Sequence, residues 1–215
     1  LMITAFAKGY RVTNDVRYLD AAKNCICFIE KNLFVDDNLL RTYKNGTAKI
    51  NGYLEDYSYF VNALLDVFEI EPNSKYLKLA LKLGHHLIDH FWDSENNSFF
   101  MTSDDHEKLI IRPKSNYDLS LPSGNSVSSF VMLRLYHLSQ EQHFLDSLPP
   151  YPLDISTAAY YLKTVSISSQ EYLSRMRENS MQFSEAQTDI LKDVGNYTKT
   201  RFNIIGLSVK NLLAE

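Results

Sequence analysis

A weak internal repeat constrains this chain more than any single residue. Tyr18-Leu19, Tyr76-Leu77 and Phe144-Leu145 each stand eight residues after an aromatic that closes an apolar run, namely Tyr10, Phe68 and Tyr136. The copies are therefore offset by 58 and then 68 residues. Phe6, Leu64 and Met132 match upstream of those aromatics, and Ala22, Ile29 and Leu33 match Ala80, Leu87 and Phe91 downstream. Matches at three- and four-residue steps are helical, so each unit reads as helix, short turn, helix.

The turns at 12–16, 70–74 and 139–142 are rich in Asn, Asp, Glu and Ser, with Pro72 where a helix stops or starts. Connections this short make the two helices of a unit antiparallel neighbours. The second helices, 17–34 and 75–90, carry their apolar residues on one stripe and are expected at the periphery. The first helices, such as 57–68, are apolar over more of their circumference and are expected inside. Nested inner and outer helices define an α/α toroid, with hairpins at 1–34, 53–91 and 124–165. Helical patterns continue at 170–178 and 182–193, followed by a short strand at 202–206 and a terminal helical turn or two.

Two connections break the pattern by their length. Residues 35–52 and 92–123 are long, polar and dotted with aromatics and glycine, and long ordered loops usually serve a purpose. Both run from an outer helix to the start of an inner one, so both belong on the same face as the inner-helix N-termini. Short strands are expected at 39–43, 99–101 and 108–112. The second loop ends at Pro122-Ser123-Gly124-Asn125-Ser126, where the apolar helix 127–138 begins. Ser123 or Asn125 can cap that helix, while Gly124 lets a neighbour approach its backbone.

The chain has 22 basic and 26 acidic residues mixed along it, a net charge of -4, which implies no field for a polyanion and disfavours nucleic acid as a partner. Apolar runs fall well short of the roughly 20 residues that cross a bilayer. Cys25 and Cys27, the two cysteines, diverge around a helix and are expected to be buried free thiols, as in a reducing cytoplasm. The sequence opens inside a helical pattern with no cap at its first residue, so an origin in a longer protein is expected.

These residues carry a family resemblance. Gly52-Tyr53-Leu54-Glu55-Asp56-Tyr57, Phe91-Trp92-Asp93 with Phe99-Phe100 and Thr102, Arg112-Pro113-Lys114, and Leu121 to Val127 resemble the C-terminal helical region of the spermatogenesis-associated protein 20 family. The similarity runs from Leu1 to about Asp193. It implies a fold similar to the six-hairpin glycosidases and to N-acylglucosamine 2-epimerase, preceded in the family by a thioredoxin-like domain that this chain lacks. Six units of about 58 residues would need near 350, so a partial ring is expected. Asp118-Leu119-Ser120 stands where the family more usually has Asp-Gly-Ala.

Glu55 and Asp56 open an inner helix in the repeat register of Ser123 and Gly124. They are the candidate catalytic pair, for proton transfer or for gripping hydroxyls, although acidic residues also stabilise a helix's first turn. Arg112 and Lys114 could pair with Glu55, Asp56, Asp118 or a substrate carboxylate. Tyr53, Tyr57, Trp92 and Tyr117 could stack on sugar rings, and Ser123, Asn125 and Ser126 complete the substrate-binding set. His86 and His90 have zinc-compatible spacing but no third ligand, and no metal or cofactor is expected. The resemblance implies a carbohydrate-binding or carbohydrate-processing toroid. The alternative is a non-catalytic scaffold that presents the thioredoxin-like domain or a protein partner, with self-association covering an exposed inner surface.

Overall fold

The computed structural model describes residues 1–107, 111–115 and 119–148. The helices expected at 155–193, the strand at 202–206, most of the strand at 108–112, and Tyr117 and Asp118 lie outside the described residues. In order, the elements are α1 (Met2–Thr13), α2 (Val16–Asn32), β1 (Phe34–Val35), β2 (Asn38–Lys44), β3 (Thr47–Asn51), α3 (Leu54–Phe68), α4 (Ser74–Phe91), β4 (Trp92–Asp93), β5 (Ser98–Phe99), α5 (Gly124–Ser139) and α6 (Gln142–Asp146). The chain divides into two compact units, one of Leu1–Asp93 with Phe99–Ser128, the other of Ser94–Ser98 with Ser129–Glu215. None of the described helices is long and apolar enough to cross a membrane.

In the first unit the repeat register is written into side-chain bonds. Asn62 donates to the Thr4 hydroxyl and Arg11 pairs with Glu69, both across a separation of 58 residues. Equivalent positions of α1 and α3 therefore lie side by side, as two inner helices of adjacent hairpins should. The turns cap as their composition suggests: the Asp15 side chain accepts from Arg17 N–H at the start of α2, and Asn73 from Lys75 N–H at the start of α4. Asn14 closes α1 in the left-handed region, at φ 56°.

Helix α3 is the core of this unit. Leu54, Tyr57, Phe60, Val61, Leu64, Leu65 and Phe68 are all buried on it, each side chain worth about 1.5–3 kcal/mol of transfer free energy. Helix α4 buries one stripe, Leu77, Ala80, Leu83, Leu87 and Phe91, as an outer helix does. Helix α1 departs from expectation, since only Ile3 and Ala7 are buried. Met2 and Val12 on it, and Val16 after it, are exposed; the helices packed closely on α1 among the described residues are α2 and α3.

The first long loop folds into a three-stranded antiparallel sheet, β1-β2-β3. Strand β2 realises the expected strand at 39–43, and Thr42 pairs with Lys49 on β3, which falls within the first long loop. The cysteines correct another expectation. They are free, but Cys25 is half-buried and Cys27 exposed, because the apolar stripe of α2 passes through Leu19, Ala22 and Ile26 instead.

In the second unit Val131, Met132 and Leu135 are buried on α5 and Phe144 and Leu145 on α6, with the Arg134 guanidinium over the Phe130 ring. Burial lowers the His137 pKa from 6.5 to about 4.

Two outcomes follow. Between pH 6.5 and about 4 the unfolded chain protonates this imidazole and the folded chain does not, so stability falls with pH across that window, by up to roughly 3 kcal/mol. Urea denaturation of wild type and His137→Gln across the window should show the loss in wild type and its attenuation in the variant. A Cβ at Gly124 would stand 2.8 Å from Leu54 Cδ2 and 2.9 Å from its Cγ, and Leu54 is fully buried. Gly124→Ala should therefore cost about 1–3 kcal/mol by overpacking, measured by the same denaturation.

Candidate functional site

Both long loops converge on the start of α3. An α-helix begins with N–H groups that its own turns cannot satisfy, so something else must accept from them. Leu54 N–H donates to the Met101 carbonyl of the second loop at 2.9 Å, and Met101 N–H donates in turn to Pro113 at 2.8 Å. From the first loop, Gly52 N–H donates to Leu39 at 2.7 Å. A Cβ on Gly52 would lie 2.8 Å from that Leu39 carbonyl and 3.0 Å from the Tyr57 ring, so the position has room only for hydrogen. The start of α5 joins the same place, with Gly124 against Leu54 and the Tyr59 hydroxyl donating to the Pro122 carbonyl.

Ser123 is the cap of α5: its hydroxyl accepts from Ser126 N–H at 3.1 Å and donates to the Ser126 hydroxyl at 2.9 Å. Asn125, the other candidate cap, has a different task. Its Oδ1 accepts from Phe99 N–H at 2.7 Å, and its Nδ2 donates to Phe99 O at 2.9 Å and to Ser115 O at 3.0 Å. One carboxamide thus stands in for a strand neighbour and holds both arms of the loop. All three residues are buried. These bonds hold the loop and the helix start.

Tyr57 is likewise internal, at 2% exposure. Its hydroxyl accepts from Leu39 N–H at 2.9 Å, and its ring stacks on His86 with centroids 4.7 Å apart. Burial first, then the Asp105 and Asp56 charges, push its pKa up to about 12. Burial, with the neighbouring His90, lowers the His86 pKa. His90 bonds Asp104 at 2.7 Å. Asp104 is held below its ordinary value by that bond, against a desolvation that is the largest single influence and acts the other way. Among the described residues no group of three potential ligands could hold a metal; His86 stacks on Tyr57 and His90 hydrogen-bonds Asp104.

The basic residues Arg112 and Lys114 bond to groups of the loop itself and of the end of α4, although the buried Arg112 Nε has no hydrogen bond to a described residue. Arg112 donates to the His90 and Thr102 carbonyls at 3.0 and 2.6 Å and lies over the Phe100 ring at 4.1 Å. Lys114 pairs with Asp93 and also lies over Phe100, at 4.4 Å. Neither meets Glu55 or Asp56. The partner of Asp56 is Arg41 of β2, at 3.0 Å, which no motif singles out. Asp56 also accepts from Tyr53 N–H at 2.8 Å, and the Arg41 guanidinium covers the Tyr53 ring at 4.4 Å. Trp92 packs edge-on against Phe99, centroids 4.8 Å apart, and keeps part of its surface exposed.

The acidic pair therefore separates. Successive helical residues point about 100° apart. Asp56 turns toward a cavity of about 240 Å³ walled by Ile3, Leu33 and Phe60, with Arg41 and Tyr59 beside it. Glu55 does not line that cavity and remains partly exposed, its carboxylate with no hydrogen bond or ion pair to any described residue. No sequence signal separates Glu55 from Asp56, because the difference is made by Arg41, fifteen residues away.

No family model matches this chain. It is 31% identical over 157 residues to human spermatogenesis-associated protein 20, 68% of this chain and 20% of that one. It is 30% identical over 154 residues to an uncharacterized protein of Caenorhabditis elegans, 67% of this chain and 21% of that one. The chain thus spans about a fifth of the length of these relatives. Among solved structures it resembles an alpha-1,6-mannanase of Salegentibacter sp. HEL1_6, with a TM-score of 0.57 and 15% identity over 89% of this chain and 59% of the other. That enzyme was solved in complex with alpha-1,6-mannotriose, as an inactive variant with two consecutive aspartates changed to asparagine. It also resembles cellobiose 2-epimerase of Bacillus thermoamylovorans B4167, with a TM-score of 0.56 and 13% identity over 92% of this chain and 58% of the other. The fold is that of the α/α toroids.

Asn125→Ala removes three buried bonds and leaves Phe99 and Ser115 groups unsatisfied. We expect a loss of about 1–3 kcal/mol in denaturation, with faster amide exchange at Phe99 as the local signature.

Proposed function

We propose that this chain, a homologue of spermatogenesis-associated protein 20, binds a carbohydrate at the joined starts of α3 and α5, with Glu55 as the side chain that grips a sugar hydroxyl or moves a proton. The observation that carries this is the solvent-reachable Glu55 carboxylate, unpaired among the described residues, at the first turn of a toroid's inner helix, where two long loops meet. The fold supports it by analogy alone, since one structural neighbour holds mannotriose and another is named for acting on cellobiose. The mannanase is inactive with two consecutive aspartates replaced, and a consecutive acidic pair opens α3 here.

The two acids divide the work. Asp56, tied to Arg41 and to the backbone of Tyr53, is a positioning residue that fastens the β2–β3 ribbon to the helix start. Tyr53 and Trp92 keep partly exposed rings for stacking. One free carboxylate suits binding or a single proton transfer, whereas glycoside hydrolysis needs two flanking the bond.

A second reading, a scaffold for the thioredoxin-like domain or for a protein partner, is favoured by one observation. Val12 and Val16 are 86% and 58% exposed at the turn of the first hairpin, with Met2 exposed on the same helix.

Ligand-detected NMR with mannotriose and cellobiose tests both readings. Under the first, Glu55→Gln should weaken binding about tenfold or more. Asp56→Asn should change affinity less and lower stability by up to about 1 kcal/mol, as for a partly exposed ion pair. Binding that is indifferent to Glu55→Gln would count against the assignment. No binding, together with self-association in light scattering, would favour the scaffold.

A further inference from the structure

The internal repeat lets one position be followed on three helices. Steps of 58 and then 68 residues carry Met2, Ala5, Gly9 and Val12 of α1 to Phe60, Ala63, Val67 and Ile70 in the second copy, and to Ser128, Val131, Leu135 and Leu138 in the third. In those two copies the stripe is closed, every residue being buried except the half-buried Ile70. Phe60 and Ala63 wall the cavity together with Ile3 and Leu33, so the stripe of α3 faces the hairpin before it. On α1 the same stripe stands open. Met2 is 62% exposed and Val12 86%, and Ala5 between them is exposed as well.

An inner helix of this repeat is therefore apolar on two sides, and α1 buries only one of them, through Ile3 and Ala7. The open stripe is spaced by three, four and three residues, an order that reads the same in both directions. Two copies of α1 laid antiparallel about a two-fold axis superpose it on itself, with Met2 of each against Val12 of the other and the small Ala5 and Gly9 at the centre, where the helix axes come closest. The Tyr18 ring borders that centre, 3.3 Å from where a Cβ on Gly9 would stand, and its exposed part offers a large surface opposite the small Ala5 of the other copy. With Val16 at the turn, the stripe presents on the order of 500 Å² per copy, so a symmetric pair buries about 1,000 Å², the lower end of specific interfaces.

We propose that this face of α1 docks a second copy of the chain, as a two-fold antiparallel pair of α1 helices that forms a weak, reversible dimer. The proposal rests on the scaffold reading above, supplies its partner, and makes no use of the loops at the start of α3.

Sedimentation velocity of the 215-residue chain over about a hundredfold range of concentration tests it, with monomer expected at the dilute end and dimer at the concentrated end. Val12→Glu and Met2→Lys alter exposed positions, so unchanged urea denaturation should show that each variant keeps its fold, while each weakens the dimer at least about tenfold. Mixed in equal amounts, the two variants should recover most of the association, because the introduced ammonium of one then meets the introduced carboxylate of the other. A chain that is monomeric throughout the range overturns the proposal, and the scaffold reading then keeps the thioredoxin-like domain as its partner. A dimer indifferent to both substitutions overturns this face and leaves the scaffold reading intact. Variants that each dissociate and fail to pair when mixed overturn the antiparallel arrangement. Protection of Met2 from peroxide at dilutions where the chain is monomeric means that its own polypeptide covers the stripe, which overturns the proposal as well.

Discussion

The start of α3 depends on a shared solution to one problem, the unsatisfied backbone groups of a helix beginning and of a long loop. The loop needs donors and acceptors that no regular sheet supplies to it, and the helix starts have them to spare. Leu54 gives its N–H to Met101, and Asn125 takes and gives at Phe99 while reaching Ser115. Each would be costly to leave unpaired, because a buried polar group without a partner forfeits its hydration for nothing. The close seat of Gly124 on Leu54 places the two helix starts near enough for one loop to serve both.

Once the loop is seated, the chemistry of the face follows by subtraction. Arg112 and Lys114 close over Phe100, Tyr57 disappears under Leu39 and His86, and Ser123 is used up in capping. Glu55 stays partly exposed, its carboxylate with no hydrogen bond or ion pair to a described residue. Arg41 decides this, since by taking Asp56 it leaves the neighbouring acid alone. A motif rich in polar residues thus yields far fewer functional groups than its composition suggests, because most of those residues hold the backbone that presents the few.

Much of this was legible in the sequence. The offset of 58 residues reappears as Asn62 with Thr4 and Arg11 with Glu69, since residues at equal heights on adjacent inner helices must touch. The caps at Asp15, Asn73 and Ser123 were legible because capping is local and needs only the right side chain two or three residues ahead of a free N–H. Strand β3 was missed for the opposite reason. Residues 47–51, Thr-Ala-Lys-Ile-Asn, alternate polar and apolar, but over five residues that is too short to distinguish a strand from a loop, and the pairing with β2 makes the strand. The low burial of α1 was also missed, because apolar periodicity tells which face a helix would bury and says nothing about whether a neighbour is present to bury it.

The sequence by itself determined the helix-turn-helix repeat, the polarity of its two kinds of helix, the two long loops and the residues able to end each element. These are set by period and local bonding, which act within a few residues. Only the tertiary structure decided that Asn125 braces a loop instead of capping a helix, that Arg41 answers Asp56, and that Glu55 is left without a partner among the described residues. Those outcomes turn on which groups meet across tens of residues of chain, where several partners are chemically equivalent and only their distance in the folded protein selects one.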